Sequence, residues 1–264
     1  PVAARATLPQ DPGAAALDQP VPGALAARLD QAGRMPGAAG AVAPRSLSPF
    51  GLPCETEATA TPAPGAMVVL DLSAPCHGGQ PVTLRHAGLK VTLRTGADGR
   101  MSVEIPALAA DAAFDLQFDD GTGAGATAHV PRAADHARVA IQWQGRSGLQ
   151  LHAFENGAGY GAPGHVHAGA PSGGAAGGGV LTALGAPDVP GAWLAEVYSH
   201  PAGGIPVTVE TEVTAANCGR EISGQVLQPG ADPVTMSLAV PDCGAVGDFL
   251  VLKNLATDMT LAAK

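Results

Sequence analysis

The sequence predicts an all-β fold, two antiparallel β-sandwich domains behind a disordered Ala/Pro-rich N-terminal spacer. Three observations predict it. Short segments alternate apolar and polar residues, as in Val207-Thr208-Val209-Glu210-Thr211-Glu212-Val213, and such alternation places every second side chain on one face of a strand. Gly- and Asp-rich turns separate these segments at short intervals, the spacing of a sandwich. Four cysteines fall into two close pairs, Cys54 with Cys76 and Cys218 with Cys243, one pair in each run of strands.

Residues 1–48 read as the spacer. Repeated prolines and few large apolar side chains deny this stretch a buried face, so it cannot offset the entropy of ordering. One short helical stretch is expected over 24–32, where Leu25 and Leu29 sit a turn apart.

The first β domain is expected over 49–135. Strands are read at Met67–Leu72, Val82–His86, Leu89–Thr95, Met101–Ile105, Ala113–Phe118 and Ala126–Val130. The run LKVTLRTGADGRMSVEIPAL has a strand, an Asp-Gly turn and a second strand. It resembles the hairpin of small transthyretin-like or carboxypeptidase-regulatory-type sandwiches, and an Ig-like domain can hold the same pattern.

The second domain is expected over 136–264. Its strands are read at Val139–Trp143, Leu149–Glu155, Leu194–Tyr198, Pro206–Thr214, Thr235–Val240, Leu250–Leu255 and Met259–Ala262. A Gly-rich loop at 156–190 interrupts the series with little strand pattern, and loops of that length are functional or mobile. Glu210 and Glu212 alternate with valines, which assigns them to the wet face of their strand.

Composition says how such a fold is held. The chain has 36 Gly and 24 Pro, with only 3% aromatic residues, so Val, Leu and Ala must fill the cores. Trp143 alternates with Ile141 and Val139 and should be buried with them; Trp193 is the other bulky piece. Scarce anchors raise the value of covalent staples. Each local disulfide closes a loop that contributes about 3 kcal/mol in the chain-entropy account. An even cysteine count in this setting indicates an oxidising compartment.

The net charge is −9. In residues 1–48 four arginines oppose three aspartates, leaving −10 on the remainder. With three lysines and no basic cluster, nucleic acid and anionic membrane surfaces are excluded as partners. No apolar run approaches the roughly 18 residues that span a bilayer. Membrane attachment is expected only through an N-terminal anchor preceding Pro1.

The segments IQWQGRSGLQLHAFENGAGYGAPGHV, AEVYSHP, EVTAANCGRE and VPDCGAVGDFLVLKNLATDMTLA resemble a group of exported alphaproteobacterial proteins of unknown function, sometimes named "translocase". The resemblance spans about residues 48–264. It implies export, with an anchor and a variable spacer ahead of the folded part, and it assigns no catalytic residue.

The expected role is therefore non-catalytic: a periplasmic protein, tethered to the inner membrane, that acts structurally or by interaction in a cell-envelope assembly. A rival reading rests on histidines. His165-Val166-His167 has the alternate spacing that puts both rings on one face of a strand, and His152 or Glu155 can complete a copper or zinc shell. A third reading is binding or hydrolysis of envelope polysaccharide. Glu155, Glu196, Glu210 and Glu212 supply carboxylates for hydrolysis, and Tyr160, within the glycine loop, is the aromatic best placed for a sugar surface. No Gly-x-Ser-x-Gly elbow marks a nucleophile, and the four cysteines are assigned to disulfides.

Overall fold

Among the described residues, alternation resolves into sixteen strands in four antiparallel sheets. The structure is a computed structural model and describes residues 46–173, 177–201 and 205–252. The expected spacer as far as residue 45, the helical stretch at 24–32 and the strand at 259–262 lie outside them.

The first sandwich contains β1 (Glu57–Ala63), β2 (Met67–Ser73), β3 (Pro81–His86), β4 (Leu89–Arg94), β5 (Arg100–Pro106), β6 (Asp111–Gln117) and β7 (Gly123–His129). One sheet runs β1-β2-β5, the other β4-β3-β6-β7. Val68, Leu70 and Leu72 of β2 meet Val82 and Leu84 of β3 and Phe114 and Leu116 of β6 in one core. Strand β1 escapes the sequence reading because EATATPA offers only alanines on its inner face.

The run around Thr95–Gly99 departs from the expected hairpin. Strands β4 and β5 lie in different sheets, so the Asp-Gly turn carries the chain across the sandwich. Gly99 makes this crossing possible. Its φ is +77°, and a Cβ there would stand 2.0 Å from the Ala74 carbonyl oxygen, closer than any real contact.

The second sandwich contains β8 (Ala137–Gln144), β9 (Leu149–Phe154), β10 (His165–Val166), β11 (Val180–Leu184), β12 (Trp193–His200), β13 (Val207–Glu212), β14 (Glu221–Leu227), β15 (Val234–Ala239) and β16 (Phe249–Leu252). Its sheets run β10-β9-β13-β16 and β11-β12-β8-β14-β15. Val139, Ile141 and Trp143 are buried between them, as their alternation predicts, opposite Leu149, Leu151 and Val209. The described residues of the region 156–190 carry more strand than its glycines suggest: they hold β10 and β11, and a bridge joins Ser172 to Val180.

Both cysteine pairs form the expected local disulfides. Cys54 before β1 joins Cys76 in the loop after β2, and Cys218 after β13 joins Cys243 after β15. No described cysteine is free, and the two bonds indicate an oxidising, extracytoplasmic environment. No helix among the described residues is long and apolar enough to cross a membrane.

The two sandwiches share a boundary. Ala140, Ala195, Val197, Leu184 and Leu227, on the outer face of the five-stranded sheet, complete the core of the first sandwich. Arg138 pins the boundary. Its guanidinium donates to the carbonyls of Gly65, Ala66, Ala107 and Ala133 and to Ser199 Oγ. Burial lowers its pKa to about 10. Beside it, Gln142 accepts from Lys90 N at 2.7 Å and donates to Gly88 O, while Lys90 Nζ sits 4.5 Å from the Trp193 ring.

Candidate functional site

On β9, Leu151 and Ala153 point into the core, so Gln150, His152 and Phe154 point out. On β13, Val209 is buried in the same core and Thr208 and Glu210 point out. Register places Thr208 opposite His152 and Glu210 opposite Gln150. Strand β10 adds His165 opposite Phe154, and the two rings stack at 4.9 Å. His167 follows one position further along the same face, its ring 4.6 Å from His165 and 5.4 Å from His152. The segment between β9 and β10 folds back over this face and sets Tyr160 Oη as a donor to Glu210 Oε1. Glu210 is thus only 4% exposed. The wet-face assignment is corrected, because strand alternation does not reveal that another segment covers the outer face.

The hydrogen bonds define the tautomers. Gly161 N–H donates to His165 Nδ1 at 3.0 Å, which leaves the proton of a neutral ring on Nε2. That Nε2–H donates to His152 Nδ1 at 2.9 Å, so His152 carries its own proton on Nε2. His152 Nε2 is buried without a hydrogen-bond partner and faces Glu210 Oε2 at 3.9 Å, beyond direct hydrogen-bond reach. Glu210 Oε1 also accepts from Thr208 Oγ1.

Electrostatics favour these neutral rings. Burial pushes the His152 pKa down and outweighs the opposing pull of Glu210, with His165 and His167 pushing the same way as burial. His165 is lowered by burial and then by His167. The bond to Glu210 is the main cause raising the Tyr160 pKa.

The structure thus brings together His152, His165 and His167, the three residues proposed from sequence as metal ligands. Glu155 is not with them. It points into the core, 2% exposed, and accepts from Gly179 N at 2.7 Å and Tyr198 Oη at 2.8 Å. Glu210 stands where Glu155 was expected.

Among the described residues no three His, Cys, Asp or Glu side chains are arranged to hold a metal ion. His165 and His167 each accept a backbone N–H at Nδ1, from Gly161 and Gly169, so their protons stay on Nε2. A metal ligand presents a bare nitrogen to the ion and donates its other N–H to a neighbour.

The remaining candidates are engaged elsewhere. Glu196 lies inside the second sandwich, where its Oε2 accepts from Leu151 N at 2.6 Å. Trp143 and Tyr198 are buried and Trp193 lies under Lys90, so of these tryptophans and tyrosines Tyr160, at 61%, is the exposed one. No protein-family model matches the chain, and no curated protein matches it in sequence.

Proposed function

We propose that this chain is a non-catalytic, periplasmic protein, tethered to the inner membrane, that acts by interaction in a cell-envelope assembly. The observation that carries the reading is the edge strand β16. Its sequence Phe249-Leu250-Val251-Leu252 is apolar on both faces, with Phe249 58% and Val251 38% exposed, and among the described residues it forms one end of its sheet. Natural edge strands are normally blunted by charge, proline or bulges, because open backbone groups recruit further strands. An uncharged apolar edge fits an extended segment of another envelope protein, added antiparallel to β16. The two disulfides support residence outside the cytoplasm.

A photo-crosslinker at Phe249 in cells tests this. The expected result is one partner whose crosslinked peptide maps to a single extended apolar segment, and whose capture Val251→Lys removes. No crosslink, or crosslinks scattered over many unrelated proteins, would sink the reading.

A further inference from the structure

We propose that the face built by Tyr160, His152 and Glu210 binds a neutral sugar ring of a glycan. This goes beyond the strand-adding role and uses different residues. The starting point is the pair left open by the relay: His152 Nε2–H, buried and unpartnered, and Glu210 Oε2, 3.9 Å away. Leaving a buried donor unmet costs about 1–3 kcal/mol. One group that both accepts and donates closes the gap. Two hydrogen bonds of about 2.8 Å spanning that distance meet at roughly a right angle, which a hydroxyl oxygen accommodates.

The same pair rejects other chemistries. A phosphate or carboxylate ligand meets the Glu210 carboxylate in a chain that already carries −9. A metal ion meets the His152 N–H instead of a lone pair. An apolar ligand leaves both groups unmatched.

Tyr160 supplies the second half of the site. Its hydroxyl is held by Glu210, and its ring packs edge-on against Phe154 at 5.0 Å and His165 at 5.2 Å. The side chain is held at its tip and by two ring contacts yet remains 61% exposed, so much of it is open to a ligand. The electron-rich face of an aromatic ring attracts the weakly positive C–H groups of a sugar. In the proposed complex a hydroxyl on the same sugar takes the place between His152 Nε2 and Glu210 Oε2, two groups that are buried in the free protein. Gln150, the half-buried cross-strand neighbour of Glu210, borders the site and adds an amide that both donates and accepts.

Saturation-transfer NMR of the purified protein with neutral hexoses, N-acetylhexosamines and their short oligomers at millimolar concentration tests the proposal. At least one sugar is expected to bind. Tyr160→Ala and Glu210→Gln should each weaken it at least tenfold, about 1.4 kcal/mol, while Tyr160→Phe, which keeps the ring, stays within a few-fold of wild type. Circular dichroism of each variant separates lost binding from lost fold. Three outcomes overturn the proposal: no sugar of the panel binds, the folded Tyr160→Ala protein binds as wild type does, or a crystal soaked with the sugar keeps only a water between His152 and Glu210. Stoichiometric zinc or copper binding that His165→Ala and His167→Ala abolish would overturn it in favour of the metal reading.

Discussion

The two sandwiches share an architecture but differ in what they bury. In the first, the buried polar side chains are Ser48, His77, His86, Thr92 and Thr95; Ser48, His77, His86 and Thr95 hydrogen-bond to turns and strands nearby, while Thr92 Oγ1 accepts from Trp193 N of the second sandwich. In the second, Glu155, Glu196, Glu210, Arg138, His152 and His165 are all buried. Every described buried carboxylate therefore lies in the second sandwich. Burying a charge is costly unless it is paired or neutralised, and the strands of the first sandwich contribute no buried carboxylate. The excess polar burial in the second marks where structure serves something besides stability.

The largest expected effect tests whether the two halves depend on each other. Arg138→Leu removes five hydrogen bonds, four to the carbonyls of Gly65, Ala66, Ala107 and Ala133 and one to Ser199 on the adjacent strand β12, and of those carbonyls Ala66 and Ala133 keep a backbone donor. The expected loss is about 4 kcal/mol or more, with both sandwiches unfolding together in urea. A loss below about 1 kcal/mol would mean that the apolar boundary alone joins them.

Glu196 sharpens the contrast through pH. Burial raises its pKa from 4.5 to about 7 against the opposing hydrogen bond from Leu151. The folded protein thus holds a proton that the unfolded chain releases between those values. Stability is fully present below about pH 4.5, falls as pH rises to about 7, and is level above, a change of ~3 kcal/mol. Glu196→Gln should remove this slope and raise stability at pH 8. An unchanged slope in the variant would assign it to another group.

The glycine segment gives a smaller effect. Gly179 donates to Glu155, and a Cβ on it would meet Tyr198 Oη at 2.4 Å. Tyr198 is fully buried and cannot yield, so Gly179→Ala should cost about 2 kcal/mol. Gly159→Ala, where a Cβ meets nothing within 4 Å, should be close to neutral. Equal costs would mean that composition alone, and not the seat on Glu155 and Tyr198, sets the behaviour of this segment.

Much of this fold was legible in the sequence and much of the site was not, for separable reasons. Strands such as Asp111–Gln117 and Val207–Glu212 read directly because one face is packed and the other polar. The cysteine pairing read directly because each partner lies just outside a strand of its own sandwich. Strand β14 did not, since Gly224 interrupts its apolar face where Leu149 and Met236 pack closely against it. His165 and His167 are legible through their alternate spacing, and His152 enters only as an alternative to Glu155 for completing their shell. Glu210 was found but misassigned, because only the tertiary return of Tyr160 turns its wet face into a buried one. Arg138 carries no local signal, since four of its five partners come from three distant segments.

The smallest expected effect on stability separates interaction from folding. Val251→Lys falls on an exposed, outward position of β16, opposite Glu210 in register, and substitutions of this kind stay within about 0.5 kcal/mol. If β16 recruits another strand, the same change disfavours that partner strongly, because a charge on an edge strand must be desolvated when a second strand covers it. Thermal unfolding is therefore expected to match wild type while partner capture is lost. Loss of both would make Val251 a packing residue, and retention of both would move the interaction to a different surface. The combination of intact fold and lost capture is the one that assigns the apolar edge to function, just as the buried carboxylates set the second sandwich apart from the first.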